Sequence, residues 1–142
     1  ASSKNFKPLS LFRRAPDRSS YESVLSENGL LEYENKLASE LPHGMRQQLE
    51  IALLIVTDAK LLLLDEPTAG MTEKETEAIV KMIIDVRDRL GVAVLVIEHD
   101  MSFVQKLNSQ IIVMMKGAAL KEGIYSEISQ DNEIRKAYLG SI

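Results

Sequence analysis

Cysteine is missing from all 142 residues, so neither a disulfide nor a thiolate metal site is available, and a reducing cytosolic setting is permitted. Long apolar runs are missing too. The longest, Ile51–Val56 and Val92–Ile97, are six residues each, far short of the roughly 18 that span a bilayer. The opening ASSKNFKPLS has no apolar core, so no signal peptide is expected in it. Any membrane connection would then run through a partner protein. Excess positive charge is lacking as well: 17 basic against 21 acidic residues leave −4, which argues against a general nucleic-acid binder. The seven glycines stand at 29, 44, 70, 91, 117, 123 and 140, and none precedes a Lys. No G-x-x-x-x-G-K-[ST] loop for cradling phosphates therefore occurs in these residues.

What remains is ordinary for a soluble globular chain, with 45% hydrophobic and 27% charged residues. Its length suits one domain that buries about two-thirds of its unfolded surface. Residues 1–18 read as an irregular, solvated N-terminal segment rather than an anion-binding arm. Pro8 and Pro16 punctuate it, and Lys4, Lys7, Arg13, Arg14 and Arg18 face one acid, Asp17. A short helix is expected from Ser19 or Ser20 to Asn28, stopped by Gly29, and another between Leu30 and Leu41, before Pro42. From Gly44 to about Thr57 a helix starts polar and turns apolar on every side at Ile51–Val56, which predicts burial of that half.

Leu61 to Thr72, LLLLDEPTAGMT, is the stretch around which the rest is arranged. Four unbroken leucines predict a strand buried on both faces, as in a parallel sheet. Asp65 and Glu66 follow, and Pro67 stops the ladder. Carboxylates at such a strand end lie where open α/β sheets bind ligands. Because strand residues alternate faces, the two acids cannot share one job. One can hold a hydrated Mg²⁺ while the other orients or deprotonates a water attacking a phosphate.

Thr72-Glu73-Lys74-Glu75 is a capping box that opens a helix with Ile79, Met82, Ile83, Val86 and Leu90 on one face and Gly91 at its end. Val92–Ile97 is a second buried strand, ending in Glu98-His99-Asp100, and Asp100 can cap a short helix through Leu107. Ile111–Met115 is a third strand. Lys116-Gly117 turns into a possible fourth near Ala118–Lys121, and a last helix from about Asn132 to Leu139 is capped by Asp131. Alternating strands and helices predict a parallel α/β sheet with right-handed crossovers. His99 then shares an edge with Asp65 and Glu66, which favours a phosphate-sensing role over structural capping.

With these residues in place, the sequence from about Gly29 to Ile142 resembles the C-terminal part of an ABC-type ATPase, a P-loop NTPase with a RecA-like core. LLLLDEP resembles the Walker B strand, which implies Asp65 as the Mg²⁺ carboxylate and Glu66 as the residue that polarises the attacking water. Ala69 and Gly70, in AGMT, resemble the D-loop that crosses a dimer interface. His99, in VIEHDM, resembles the switch histidine that contacts the γ-phosphate. LPHGMRQQLEIA resembles the signature segment, which implies that Pro42, His43, Gly44 and Met45 face the nucleotide bound by a second ATPase subunit. A helix N-terminus suits that task, since it presents N–H groups and partial positive charge to anions. The wording HG…LEI, AGMT, EHDM-FV and AYLG most resembles ATPase subunits of branched-chain amino acid and urea importers.

The resemblance implies ATP and Mg²⁺ as cofactors, a homo- or hetero-oligomer with transmembrane permease subunits, and a cytoplasmic location at the inner face of the membrane. It also implies the segment near Ser19–Ser39 as the permease-docking region. Two departures weaken parts of it. Pro42 stands where the signature usually has Ser and brings neither hydroxyl nor N–H; His43 stands where Gly is common. Judged by the resemblance, the adenine-stacking segment, the glutamine loop and the front of the helical subdomain are missing along with the phosphate loop, as from processing or a split gene. The expected organisation is thus an irregular segment (1–18), a partial helical subdomain with signature helix (19–57), and the rear of the core (58–142).

In the resembled fold the phosphate-loop strand lies between Val92–Ile97 and Ile111–Met115. Its absence predicts that these two either pair directly or drive assembly of chains, and assembly is favoured because pairing would repack helices on both faces. Two rival functions stand beside transport: a catalytically silent interaction module, and a non-transport ABC ATPase.

Overall fold

The structure, a computed structural model, describes residues 18–57 and 59–139; the expectation for residues 1–18 lies, Arg18 apart, outside them. The chain divides between Ala59 and Lys60 into two compact units.

The first unit holds α1 (Arg18–Glu27) and α2 (His43–Val56). Gly29 takes a left-handed φ of +67°, which lets the chain turn back so that Leu30 N–H reaches Leu25 O at 2.8 Å and the Leu30 side chain is buried. The single helix expected between Leu30 and Leu41 is instead two 3₁₀ turns, Leu31–Tyr33 and Ala38–Glu40. The reason is local. Leu37 N–H is closed off by the Glu40 carboxylate at 2.9 Å, and Leu41, which precedes Pro42, is pushed to an extended ψ of 143°. The apolar end of α2 is buried on one face only. Ile51 and Ala52 are inside, whereas Leu53 is 55% exposed and Leu54 is also at the surface. An apolar groove of about 180 Å³ lies between α1 and α2, lined by residues such as Tyr21, Leu25, Leu49 and Leu53.

The second unit begins with β1 (Leu61–Asp65), parallel to β2 (Ala93–Ile97) in the register Leu61↔Ala93 to Asp65↔Ile97. The crossover is α3 (Glu73–Leu90). It is started by the predicted capping box, with Thr72 N–H donating to Glu75 Oε2 (2.9 Å) and Glu75 N–H to Thr72 Oγ1 (3.4 Å). Gly91 ends it at φ +63°. Thr76, Ile79, Val80, Met82, Ile83 and Val86 form its buried face, and it packs on β2. The next helix, α4 (Met101–Leu107), is capped as expected by Asp100, whose Oδ1 accepts from Ser102 and Phe103 N–H. Arg87 on α3 donates to Leu107 O at 2.7 Å, tying the two helices at one end.

Both faces of β1 and β2 are apolar, yet only one is covered. Leu62 and Leu64 are buried, while Leu61 (52%), Leu63 (66%), Leu95 (56%) and Ile97 (62%) are exposed. The expectation of burial on both faces is therefore corrected: the run of leucines is suited to a three-layer fold, and the described residues supply no second cover. The third strand, β3 (Ile111–Met115), is also placed differently from the expectation. It pairs antiparallel with β4 (Ala118–Gly123), and β1–β2 and β3–β4 are two separate two-stranded sheets among the described residues. Lys116 (φ +50°) and Gly117 (φ +80°) provide the two left-handed residues of a tight hairpin, so β3 satisfies one edge with its nearest sequence neighbour. Direct pairing of β2 with β3, one of the two expected ways to close the gap, is not adopted.

Val113, Ile128 and Ile134 form a small core under the hairpin, with Met101, Ile111 and Leu120 packed against it. Ile128 lies on a four-residue helix, α5 (Tyr125–Ile128), that the sequence reading did not anticipate. The last helix, α6 (Asn132–Leu139), is capped as expected by Asp131, whose Oδ1 accepts from Glu133 (2.9 Å) and Ile134 (3.1 Å) N–H while Oδ2 pairs with Lys121. No helix among the described residues is long and apolar enough to cross a membrane.

The Lys121 hydrogen bond, and after it the Ile134 N–H, hold the Asp131 carboxyl below its ordinary value of 3.8. A depressed folded value contributes stability that is fully present above the unfolded value and is lost as pH falls through the folded one. In urea unfolding from about pH 6 to pH 2, Asp131→Asn, which keeps a capping oxygen, is expected to be less stable than wild type at the upper end and to converge with it in acid. Curves that stay parallel over that range would refute this contribution.

Candidate functional site

At the carboxyl end of the parallel pair the chain makes a tight, hydrogen-bonded detour from β1 to α3. Glu66 is its first residue and stands at φ +44°, a left-handed conformation that costs a non-glycine residue about 1–3 kcal/mol. Two backbone bonds hold it there. Its N–H donates to Ile97 O at 2.9 Å, adding one rung beyond the Asp65↔Ile97 register, and its carbonyl accepts from Ala69 N–H at 3.1 Å. Pro67 and Thr68 are buried beneath the turn. Thr68 O accepts from Met71 N–H at 3.1 Å, and Gly70 sits at φ +73°. Open space surrounds Gly70, so its requirement for glycine is the backbone angle alone.

The detour turns the Glu66 carboxylate toward the loop after β2. Its Oε1 lies 3.5 Å from Nδ1 of His99, an ion-pair distance whenever the imidazole is protonated. Both side chains are accessible, at 52% and 70% exposure, so water or a ligand can reach each of them. Asp65, also exposed, ends β1 on the strand face that carries Leu61 and Leu63. Of the residues singled out in this unit, the fold thus gathers Asp65, Glu66, Ala69, Gly70 and His99 at one end of one strand pair.

Pro42, His43, Gly44 and Met45 belong to the other unit. There α2 starts at His43, with Pro42 in the capping position at ψ 155° and its carbonyl accepting from Arg46 N–H at 3.0 Å. As the ring dictates, no side-chain cap forms. Pro42 and His43 are exposed, Met45 is half-buried and Gly44 is buried.

Sequence reasoning passed over Glu98 and Thr68. The Glu98 side chain is only 3% exposed, and its Oε1 accepts from Thr68 Oγ1 (2.6 Å) and Thr68 N–H (3.2 Å). Its Oε2 accepts from His99 N–H at 3.1 Å. One signal was available: alternation along β2 carries Glu98 to the side opposite exposed Ile97, so the acid had to be inside and partnered.

Among the described residues no group of three or more His, Cys, Asp or Glu side chains could cage a metal ion. A single carboxylate serving a hydrated Mg²⁺ carried on phosphates is the mode that the exposed Asp65 fits. The turn supplies a carboxylate and a left-handed glycine, and the loop after β2 supplies the imidazole.

Residues 2–69 match the ABC transporter family, a match that begins well before Gly29. The chain is 38% identical over 131 residues to the high-affinity branched-chain amino acid transport ATP-binding protein LivG of Salmonella typhimurium, covering 91% of this chain and 51% of that one. It is 40% identical over 116 residues to the corresponding protein BraF of Pseudomonas aeruginosa, covering 82% and 46%. Among solved structures, MJ1267, an ATP-binding cassette of an ABC transporter in its ADP conformation, superposes with a TM-score of 0.78 at 22% identity over 96% of this chain and 57% of that one. The fold is therefore the α/β fold of ABC ATPase domains. The chain spans about half the length of the curated relatives it matches.

Proposed function

Because this chain is homologous to the ATP-binding proteins of ABC transporters, we propose that it is the hydrolytic half of an ATPase subunit that powers an importer of branched-chain amino acids or related solutes. The observation that carries this reading is the approach of Glu66 to His99, 3.5 Å apart across the ends of two adjacent parallel strands. When bound, ATP supplies the scissile phosphoanhydride and Mg²⁺ neutralises charge on its phosphates. Glu66 accepts a hydrogen bond from the attacking water and draws on its proton. His99 donates to the terminal phosphate. Asp65 would hold the Mg²⁺ through its water shell.

In the second unit's tight turn, Ala69 and Gly70 present backbone to a second ATPase subunit, and the first turn of α2, which follows Pro42 and runs from His43 through Gly44 and Met45, is the end that faces that subunit's nucleotide. Pro42 and His43 make this the weaker of the two contributions. The region around Ser19–Ser39 docks the permease, which places the subunit at the inner face of the membrane. By the resemblance, the phosphate-loop strand of that core is missing among the described residues, and β2 and β3 are the edges that would flank it.

A second reading, a silent interaction module, draws on the absent G-x-x-x-x-G-K-[ST]. One experiment separates the two. The chain alone is expected to show no Mg²⁺-dependent isotherm with a fluorescent ATP analogue, since its sequence holds no G-x-x-x-x-G-K-[ST] loop to build a nest of N–H groups for the triphosphate. Mixed with the phosphate-loop half of a cassette, it is expected to hydrolyse ATP, with neither half active by itself. A mixture that binds nucleotide and never turns it over would favour the silent module. Micromolar binding by the isolated chain would contradict the account of the missing cradle.

A further inference from the structure

We propose that Glu98 is a positioning residue: a buried carboxylate clasp that holds the turn bearing Glu66 and the loop bearing His99 at one fixed separation. The inference rests on the hydrolytic reading of Glu66 and His99, and adds to it the group that sets their geometry.

The Glu98 side chain is almost fully buried, 3% exposed beside a 70% exposed His99, and its Oε2 lies 4.0 Å from the imidazole Nδ1. Its two oxygens point to different loops. Oε1 takes both polar hydrogens of Thr68, the hydroxyl at 2.6 Å and the N–H at 3.2 Å, and so grips the β1–α3 detour two residues after Glu66. Oε2 takes the N–H of His99 at 3.1 Å and so fixes the backbone from which the imidazole springs. The ladder bond from Glu66 N–H to Ile97 O closes the same ring from the other side.

A carboxylate suits this place because the three groups it meets are all donors, and an ionised acid is acceptor-only. A glutamine of the same shape offers one acceptor oxygen and one donor amide, so it must release either Thr68 or His99. The clasp also compensates for the left-handed backbone at Glu66, a conformation that persists only where surroundings over-determine it.

The test uses Glu98→Gln, Thr68→Val and Thr68→Ser, in the full chain and in the cassette completed with a phosphate-loop half. In the chain, amide exchange at Thr68 and His99 is expected to quicken about tenfold or more in Glu98→Gln, with amides of the β3–β4 hairpin unmoved. In the cassette, Glu98→Gln and Thr68→Val are expected to lower kcat about 10- to 100-fold with KM for ATP within about threefold, and Thr68→Ser to keep near wild-type kcat. Unchanged exchange at both amides overturns the clasp. Faster exchange with unchanged kcat overturns the positioning role. A wild-type cassette that never turns over defeats the hydrolytic reading and this one together. Turnover that Glu66→Gln abolishes but Glu98→Gln and Thr68→Val leave intact defeats this one alone.

Discussion

Replacing Glu66 with Gln, in a cassette completed by its phosphate-loop half, is expected to cut ATP turnover by about 10²–10⁴-fold while nucleotide affinity stays within about threefold. Gln keeps the size of Glu and can hold the same left-handed backbone, so the turn from Glu66 to Gly70 survives. What it loses is the capacity to accept a proton from water and the charge that faces His99 at 3.5 Å. Since the carboxylate is half exposed and holds no buried donor in the described structure, its removal has little reason to change stability. A structural role would predict the opposite pattern, a small stability change with turnover intact. Steady-state phosphate release and a binding titration on the same preparation decide between them, and wild-type turnover would remove Glu66 from the chemistry.

The chain by itself is expected to self-associate. Leu61, Leu63, Leu95 and Ile97 form one apolar face, each more than half exposed, and β2 and β3 each have an outer edge without a strand among the described residues. Covering four half-exposed side chains on each of two copies is worth about 8 kcal/mol at about 1 kcal/mol each, against an association cost of about 4–15 kcal/mol. The face alone thus gives at best weak pairing, and strand-to-strand hydrogen bonds at the open edges must supply the rest. Sedimentation velocity is expected to show dimers or larger species growing between about 10 and 100 µM, and Leu63→Lys with Leu95→Lys to return the chain to monomer, because burying two lysines on that face would cost more than it gains. A wild-type monomer throughout that range would refute the expectation.

Much of the local structure was legible because it is decided within a few residues. Thr72 with Glu75, Asp100 and Asp131 each cap the helix they were expected to cap, and the Leu61–Asp65 strand has the bounds read from its leucines. The meeting of Glu66 and His99 could be placed on one sheet edge from strand ends alone, but not their 3.5 Å separation. That distance depends on the left-handed Glu66 and on Glu98, and neither has a composition signal. Coverage was the main thing that could not be read. An apolar strand states that both its faces favour burial, not whether the chain holds enough segments to bury them. Leu53 and Leu54 on α2 repeat the lesson for a helix. The 3₁₀ turns near Leu37 and the short α5 were missed because one carboxylate or one extended residue decides such pieces, below the reach of periodicity.

The uncovered leucine face also bears on how stability changes with temperature. The heat-capacity rise on unfolding comes from apolar surface that is newly wetted, about 0.45 cal/mol/K for each Å². Leu61, Leu63, Leu95 and Ile97 are largely wetted before unfolding begins, so they add little to that rise. The free-energy curve of the lone chain is therefore expected to be flatter than that of a chain of this length with the face covered. Covering the face transfers that hydration change to the binding step, which acquires a negative heat capacity of its own. Partnership would then steepen the curve as well as raise it, and the covered chain would unfold over a narrower span of temperature than the bare one.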